Sequence, residues 1–244
     1  MIALVLLVCV SSAWTQKKPA LKPIVGTLDK KPAGPDDLAK FDRAGLLVTL
    51  GSEGKAKVEL LSNWSENAWT LNALSPAVEK MPTTSVVVFG AAQETTFATI
   101  EPWLERLRGN GKPRLKFRIA DMDLIVPAKI SNQNIRPNPL YLQVTVGENG
   151  SLDLNGEAYG TLPAPQQLAK KLKEIFKARA DNGVLRIGEN DVDTTVFIKA
   201  SSGMTVRDIE SLAGMIRDAG SDRIGIRVGD DDTVQRLTMI DTVK

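Results

Sequence analysis

Leu46–Gly54 reads LLVTLGSEG, and Leu142–Gly150 reads LQVTVGENG. The two stretches lie 96 residues apart and share Leu, Val, Thr and both glycines at the same spacing. Alternating apolar residues ahead of a Gly-x-x-Gly turn predict a strand entering a hairpin. In both copies a second strand follows, at Ala56–Leu60 and Ser151–Asn155. Downstream, Ser85–Ala120 aligns with Thr194–Gly229 at a constant offset of 109. VVVFGA matches TVFIKA, and LKFRI matches IGIRV. Thr96, Ile100, Glu101, Arg108 and Gly111 match Thr205, Ile209, Glu210, Arg217 and Gly220. A period near 100 residues indicates a duplicated domain rather than a solenoid.

Each copy reads as a hairpin, a helix, a strand, a second helix and a last strand. The second helix carries Phe97, Ile100, Trp103, Leu104 and Leu107 on one face in the first copy, and Val206, Ile209, Leu212, Ala213 and Ile216 in the second. Thr205 with Asp208 forms a capping-box-like start, and Gly220 a stop. The first helix of copy two starts near Pro165, with Leu168, Leu172, Ile175 and Phe176 on one stripe. Pro76 and Pro102 fall where helix interiors are expected in copy one, so those helices are expected to kink or begin late. Val184–Gly188 is an extra strand or an extension. The expected fold is α+β: two tandem two-layer sandwiches, each β-β-α-β-α-β, with helices on one face of a mixed sheet. The boundaries are 42–121 for the first domain and 122–244 for the second.

Ahead of these domains, Ile2–Val10 is an apolar run too short to cross a bilayer. It has the length of a signal-peptide core, and Ser11-x-Ala13 supplies a cleavage pattern, although no Lys or Arg precedes it. Residues 1–16 therefore read as a signal peptide or short anchor. Residues 17–41 interleave lysines with prolines and read as an extended linker, either a solvated spacer or a contact for an acidic surface. The pattern of residues 1–16 implies export.

The 244 residues carry 31 Lys+Arg and 29 Asp+Glu, a net +2 that gives no reason to expect nucleic acid. There is no histidine, and the single cysteine, Cys9, lies in the apolar run. Histidine-based catalysis and thiolate chemistry are thus excluded from the two domains. No phosphate-binding loop or nucleophile elbow is present. Gly188–Asp193 gathers carboxylates without a calcium-loop spacing and reads as a solvated turn; Asp230–Asp232 reads as a hairpin tip after the last strand, with Val234–Val243 as an added edge strand. Trp64, Trp69 and Trp103 read as core or partner contacts. The expectation is a non-enzyme with no cofactor and no metal. Arg118 and Arg227 occupy equivalent strand positions, and alternation turns both away from the helices. They form the candidate partner-contact face, able to meet carboxylates of a glycan or peptide if that face is open. The other reading is an ordinary polar sheet face.

The ordered series from Leu124 to Gly229 resembles the periplasmic domain of the ExbD/TolR family of biopolymer transport proteins. The series comprises Ile125-Val126-Pro127-Ala128, then VTVGENGSLDLNGE (Val144–Glu157), a Lys-rich amphipathic helix, VFIKA (Val196–Ala200), a helix ending Asp218-Ala219-Gly220, and IGIRV. Leu46–Ala120 repeats it more loosely. The resemblance implies a domain that works by protein contact beside a multi-pass partner of the ExbB/TolQ type, in a proton-driven transport or envelope-maintenance complex. In that family a transmembrane aspartate takes part in using the proton gradient. The apolar run here has no aspartate, so the resemblance does not extend to proton coupling unless the true start lies upstream. Family members act as dimers, so the tandem pair is expected to form an intramolecular pseudo-dimer, with a homodimer as the alternative. The expected partners are ExbB/TolQ-like or ExbD-like membrane proteins. The alternative reading is a stand-alone exported binding protein for cell-wall glycan or peptide.

Overall fold

In a strand, successive side chains point to opposite faces, so burial along each strand shows which face meets the core. The structure is a computed structural model and describes residues 45–51, 55–60, 67–69, 72, 76, 78–79, 86–108, 114–128, 141–185 and 191–229. All belong to one compact unit, Pro32–Lys244. The expectations for residues 1–41, Trp64 and 230–244, and most of Val184–Gly188, lie outside the described residues.

The first half supplies β1 (Gly45–Leu50), β2 (Ala56–Leu60), β3 (Asn67–Trp69), β4 (Val86–Ala91), β5 (Arg114–Ile119) and β6 (Met122–Val126). The second supplies β7 (Leu142–Val146), β8 (Ser151–Leu154), β9 (Glu157–Thr161), β10 (Val196–Lys199) and β11 (Ile224–Ile226). Three helices have described bounds: α1 (Phe97–Leu107), α2 (Gln166–Asn182) and α3 (Val206–Asp218). The strands form one mixed sheet in the order β3-β2-β1-β4-β5-β6-β11-β10-β7-β8-β9.

Both halves build their part of the sheet alike. β1 pairs antiparallel with β2 and parallel with β4, as β7 does with β8 and β10. β4 and β10 then pair in parallel with β5 and β11. The joint is β6, antiparallel to β5 from Met122 to Val126 but paired with β11 only at Ile125–Gly225. One strand thus covers the inner edges of both halves.

The helices share one face of this sheet, because their buried residues join a single apolar core with the inward residues of the strands. Val87, Phe89, Leu104 and Phe117 belong to it, as do Val144, Leu172, Ile198, Ile209 and Ile216. α1 and α3 begin at a local twofold between the halves. Phe97 N–H donates to the Met204 carbonyl at 2.7 Å, and the equivalent Val206 N–H donates to that of Thr95 at 3.0 Å. Ala98 N–H bonds the Ser202 carbonyl, and its equivalent Arg207 bonds that of Gln93, both at 3.0 Å. Each bond repeats the other at the 109-residue offset of the sequence, so residue i meets j where j meets i, the signature of a twofold contact. Gln93 Nε2 adds a bond to Glu210 Oε2 at 3.3 Å, and Arg207 pairs with Glu94.

The local signals hold well. The Thr205–Asp208 capping box is complete, and Gly220 follows α3 at φ 109°. α2 starts just after Pro165, buries Leu168, Leu172 and Phe176, and stops at Gly183 in the left-handed region. Of the kink or late start expected for the second helix in copy one, the late start does not occur: α1 begins at Phe97, the position equivalent to Val206, and runs through Pro102. Pro102 is exposed and sits in the interior of α1, where its missing N–H removes one helical hydrogen bond without ending the helix. Pro76 is also helical. β3 and β9 were not expected. Asn155 and Gly156, at φ 53° and 96°, make the two-residue turn that produces β9.

Candidate functional site

The face away from the helices is the candidate contact surface. β5 reads RLKFRI; Leu115, Phe117 and Ile119 enter the core, which turns Arg114, Lys116 and Arg118 outward. On β11, Ile224 and Ile226 are inward, which turns Gly225 and the following Arg227 outward. The expected orientation of Arg118 and Arg227 therefore holds, but their surroundings differ.

Arg118 stands at an accessible place. Its Nε donates to Asp123 Oδ1 at 2.8 Å and its Nη2 to Oδ2 at 3.2 Å, while Lys116 Nζ reaches Oδ2 at 3.4 Å. The Lys116 and Arg118 side chains are 44% exposed and that of Asp123 26%. The hydrogen bonds from Arg118 hold the Asp123 carboxyl below its usual range, with smaller contributions from Lys116, against the opposing effect of burial. A carboxyl with a depressed folded pKa stabilises the fold above its unfolded pKa, and that contribution disappears as pH falls through the folded value. Wild type should therefore lose more stability than Asp123→Asn on acidification below about pH 4. Parallel urea titrations of the two proteins at several pH values check this; equal acid sensitivity contradicts it.

Arg227 is buried at 8% exposure. Its Nη1 donates to Gln143 Oε1 at 2.7 Å, and the same oxygen accepts from the Tyr141 hydroxyl at 3.0 Å. Tyr141 stacks on Phe197 with centroids 5.2 Å apart, and burial pushes the Tyr141 hydroxyl pKa up. The Phe197 ring lies against Gly225: a Cβ there would meet two ring carbons at 2.4 Å. Arg227 is thus a member of a small second core, not a surface ligand for carboxylates. The two arginines are not brought together either. Arg118 pairs with Asp123, whereas Arg227 lies two residues beyond Gly225, the partner of Ile125. Their levels differ by four residues of β6, roughly 13 Å along the strand.

Sequence reasoning missed Asp123, Gln143, Tyr141 and Phe197. The alternation of β6 could have placed Asp123 on the open face, but its pairing with Arg118 depends on the β5–β6 register. Trp103 is a core residue, 5% exposed and stacked against Phe89. In the carboxylate-rich turn, Asp193 Oδ1 accepts from Thr195 N–H at 2.9 Å and its carbonyl accepts from Arg179 Nη1 at 2.5 Å. That ties the end of α2 to the strand that follows; residues 188–190 lie outside the described residues. Among the described residues no three His, Cys, Asp or Glu side chains gather as metal ligands, and no helix is long and apolar enough to cross a membrane. No protein-family model, curated protein or solved structure matches this chain.

Proposed function

We propose that this protein is a non-enzymatic, exported component of the cell envelope that works by protein contact. In this reading it is a tandem ExbD/TolR-like pair, each copy a two-layer sandwich, merged into an intramolecular pseudo-dimer. It serves in, or beside, an ExbB–ExbD or TolQ–TolR type proton-driven transport or envelope-maintenance complex. The observation that supports it best is the reciprocal hydrogen bonding of Phe97 with Met204 and Val206 with Thr95, at the sequence offset of the repeat. Contacts of that kind occur where two copies of one domain meet across a twofold. Covalent linkage of two copies replaces a concentration-dependent association with an intramolecular one. The test is affinity capture of the tagged full chain from gently solubilised membranes of its source cell. A multi-pass ExbB/TolQ-type protein in the eluate is the expected result. Capture without any such protein, together with retention on isolated cell wall, overturns this reading. It favours instead a stand-alone exported binder of cell-wall glycan or peptide, which the exposed Arg118 supports.

A further inference from the structure

The outward residues of β5 are Arg114, Lys116 and Arg118, three cations at alternate positions of one strand. Alternate residues of an extended chain repeat about every 6.8 Å on one face. An extended peptide lying along β5, with acidic residues at every second position, repeats at the same spacing. Asp123 is the carboxylate that both Lys116 and Arg118 touch, which leaves the row with an excess of positive charge. Asp123 takes Nε and Nη2 of Arg118, holding the guanidinium in place with Nη1 left for an incoming oxyanion.

At the Arg118 end of this row is a short trough, bounded by Val88, which stands beside Lys116 and is 3% exposed. Gly90 pairs with Arg118 on one side and Thr49 on the other. A Cβ at Gly90 would meet nothing nearer than the Arg118 carbonyl oxygen, at 3.9 Å, so the space above this glycine is open. Thr49 is exposed. The equivalent row of the second half has lost both features. Lys199 replaces Gly90, Gly225 replaces Lys116 beneath the Phe197 ring, and Arg227 is buried against Gln143.

We propose that the row Arg114–Lys116–Arg118, with the Gly90 trough at its Arg118 end, binds an extended acidic peptide segment of a partner protein. The proposal deepens the contact-making reading above and rests on it, but it requires no membrane complex. A fluorescently labelled peptide with aspartate at alternate positions, titrated into the purified full chain, is the test. Binding that weakens with added salt is expected, and asparagine in place of each aspartate should abolish it. Lys116→Gln with Arg118→Gln should weaken it about tenfold or more. Gly90→Val, which fills the trough without changing charge, should weaken it as well, while Arg227→Gln should leave the affinity of the folded protein unchanged. Thermal melts of each variant establish that it is folded. Absence of binding at roughly millimolar peptide, or equal affinity in wild type and the Lys116/Arg118 variant, overturns the proposal. Preferential binding of an acidic polysaccharide such as polygalacturonate overturns the choice of a peptide. Because the assay needs no membrane partner, its failure is separable from that of the capture experiment.

Discussion

Phe89→Ala is expected to destabilise the entire folded unit by about 3–5 kcal/mol, the usual cost of emptying a large aromatic site in a core. Phe89 has no exposed surface, and its ring lies 6.1 Å from both Trp103 and Phe117. Alanine would leave a void that neither ring can fill without moving. The core that holds Phe89 is continuous with that of the second half. The loss should therefore appear in every probe. Trp103 lies in α1, whereas far-ultraviolet circular dichroism draws largely on the longer α2 and α3. Both signals should shift to the same lower urea midpoint. A fluorescence midpoint that falls while the helical signal melts unchanged would show two independent domains and contradict the single core.

The second large effect is expected at Gly225. Its backbone angle does not require glycine; the close approach of a neighbour does. An alanine Cβ would lie 2.4 Å from Phe197 Cδ1 and Cε1, and 3.1 Å from the Ile125 carbonyl oxygen. Phe197 is held by Tyr141, so it has little room to swing aside. Gly225→Ala should cost about 1–3 kcal/mol as an overpacking change. Phe197→Val restores the residue type of its equivalent, Val88, and removes the ring. The double variant should then be more stable than the sum of the single effects predicts, a positive coupling measurable in a double-mutant cycle. Strict additivity would place the strain at Ile125 rather than at the ring. Because Gly225 is also the residue of β11 that pairs with β6, amide exchange at the joint should quicken in the single variant and recover in the double one.

The contrast between Arg118 and Arg227 shows where reading a sequence stops. Their common orientation follows from alternation on β5 and on the end of β11, a local property. Their different exposure follows from Gly225, Phe197, Tyr141 and Gln143, which come from β11, β10 and the start of β7, Gln143 standing 84 residues before Arg227. None of those residues looks unusual in its own segment. β9 escaped for a different reason. Its residues are mostly exposed, so it carries no inward and outward alternation, and the Asn155-Gly156 turn was its legible sign.

By itself the sequence determined the parts: the two hairpins, the apolar stripes of α1, α2 and α3, the capping box at Thr205 and the internal repeat. Each is specified by residues within a few positions of one another, through the periods of strand and helix. The tertiary structure alone decided that the parts form one sheet, that β6 covers both inner edges, and that Thr96 and Thr205 meet at a local twofold. Those choices depend on which strand edge pairs with which and on what covers each face, and such pairings are settled only when distant segments pack together.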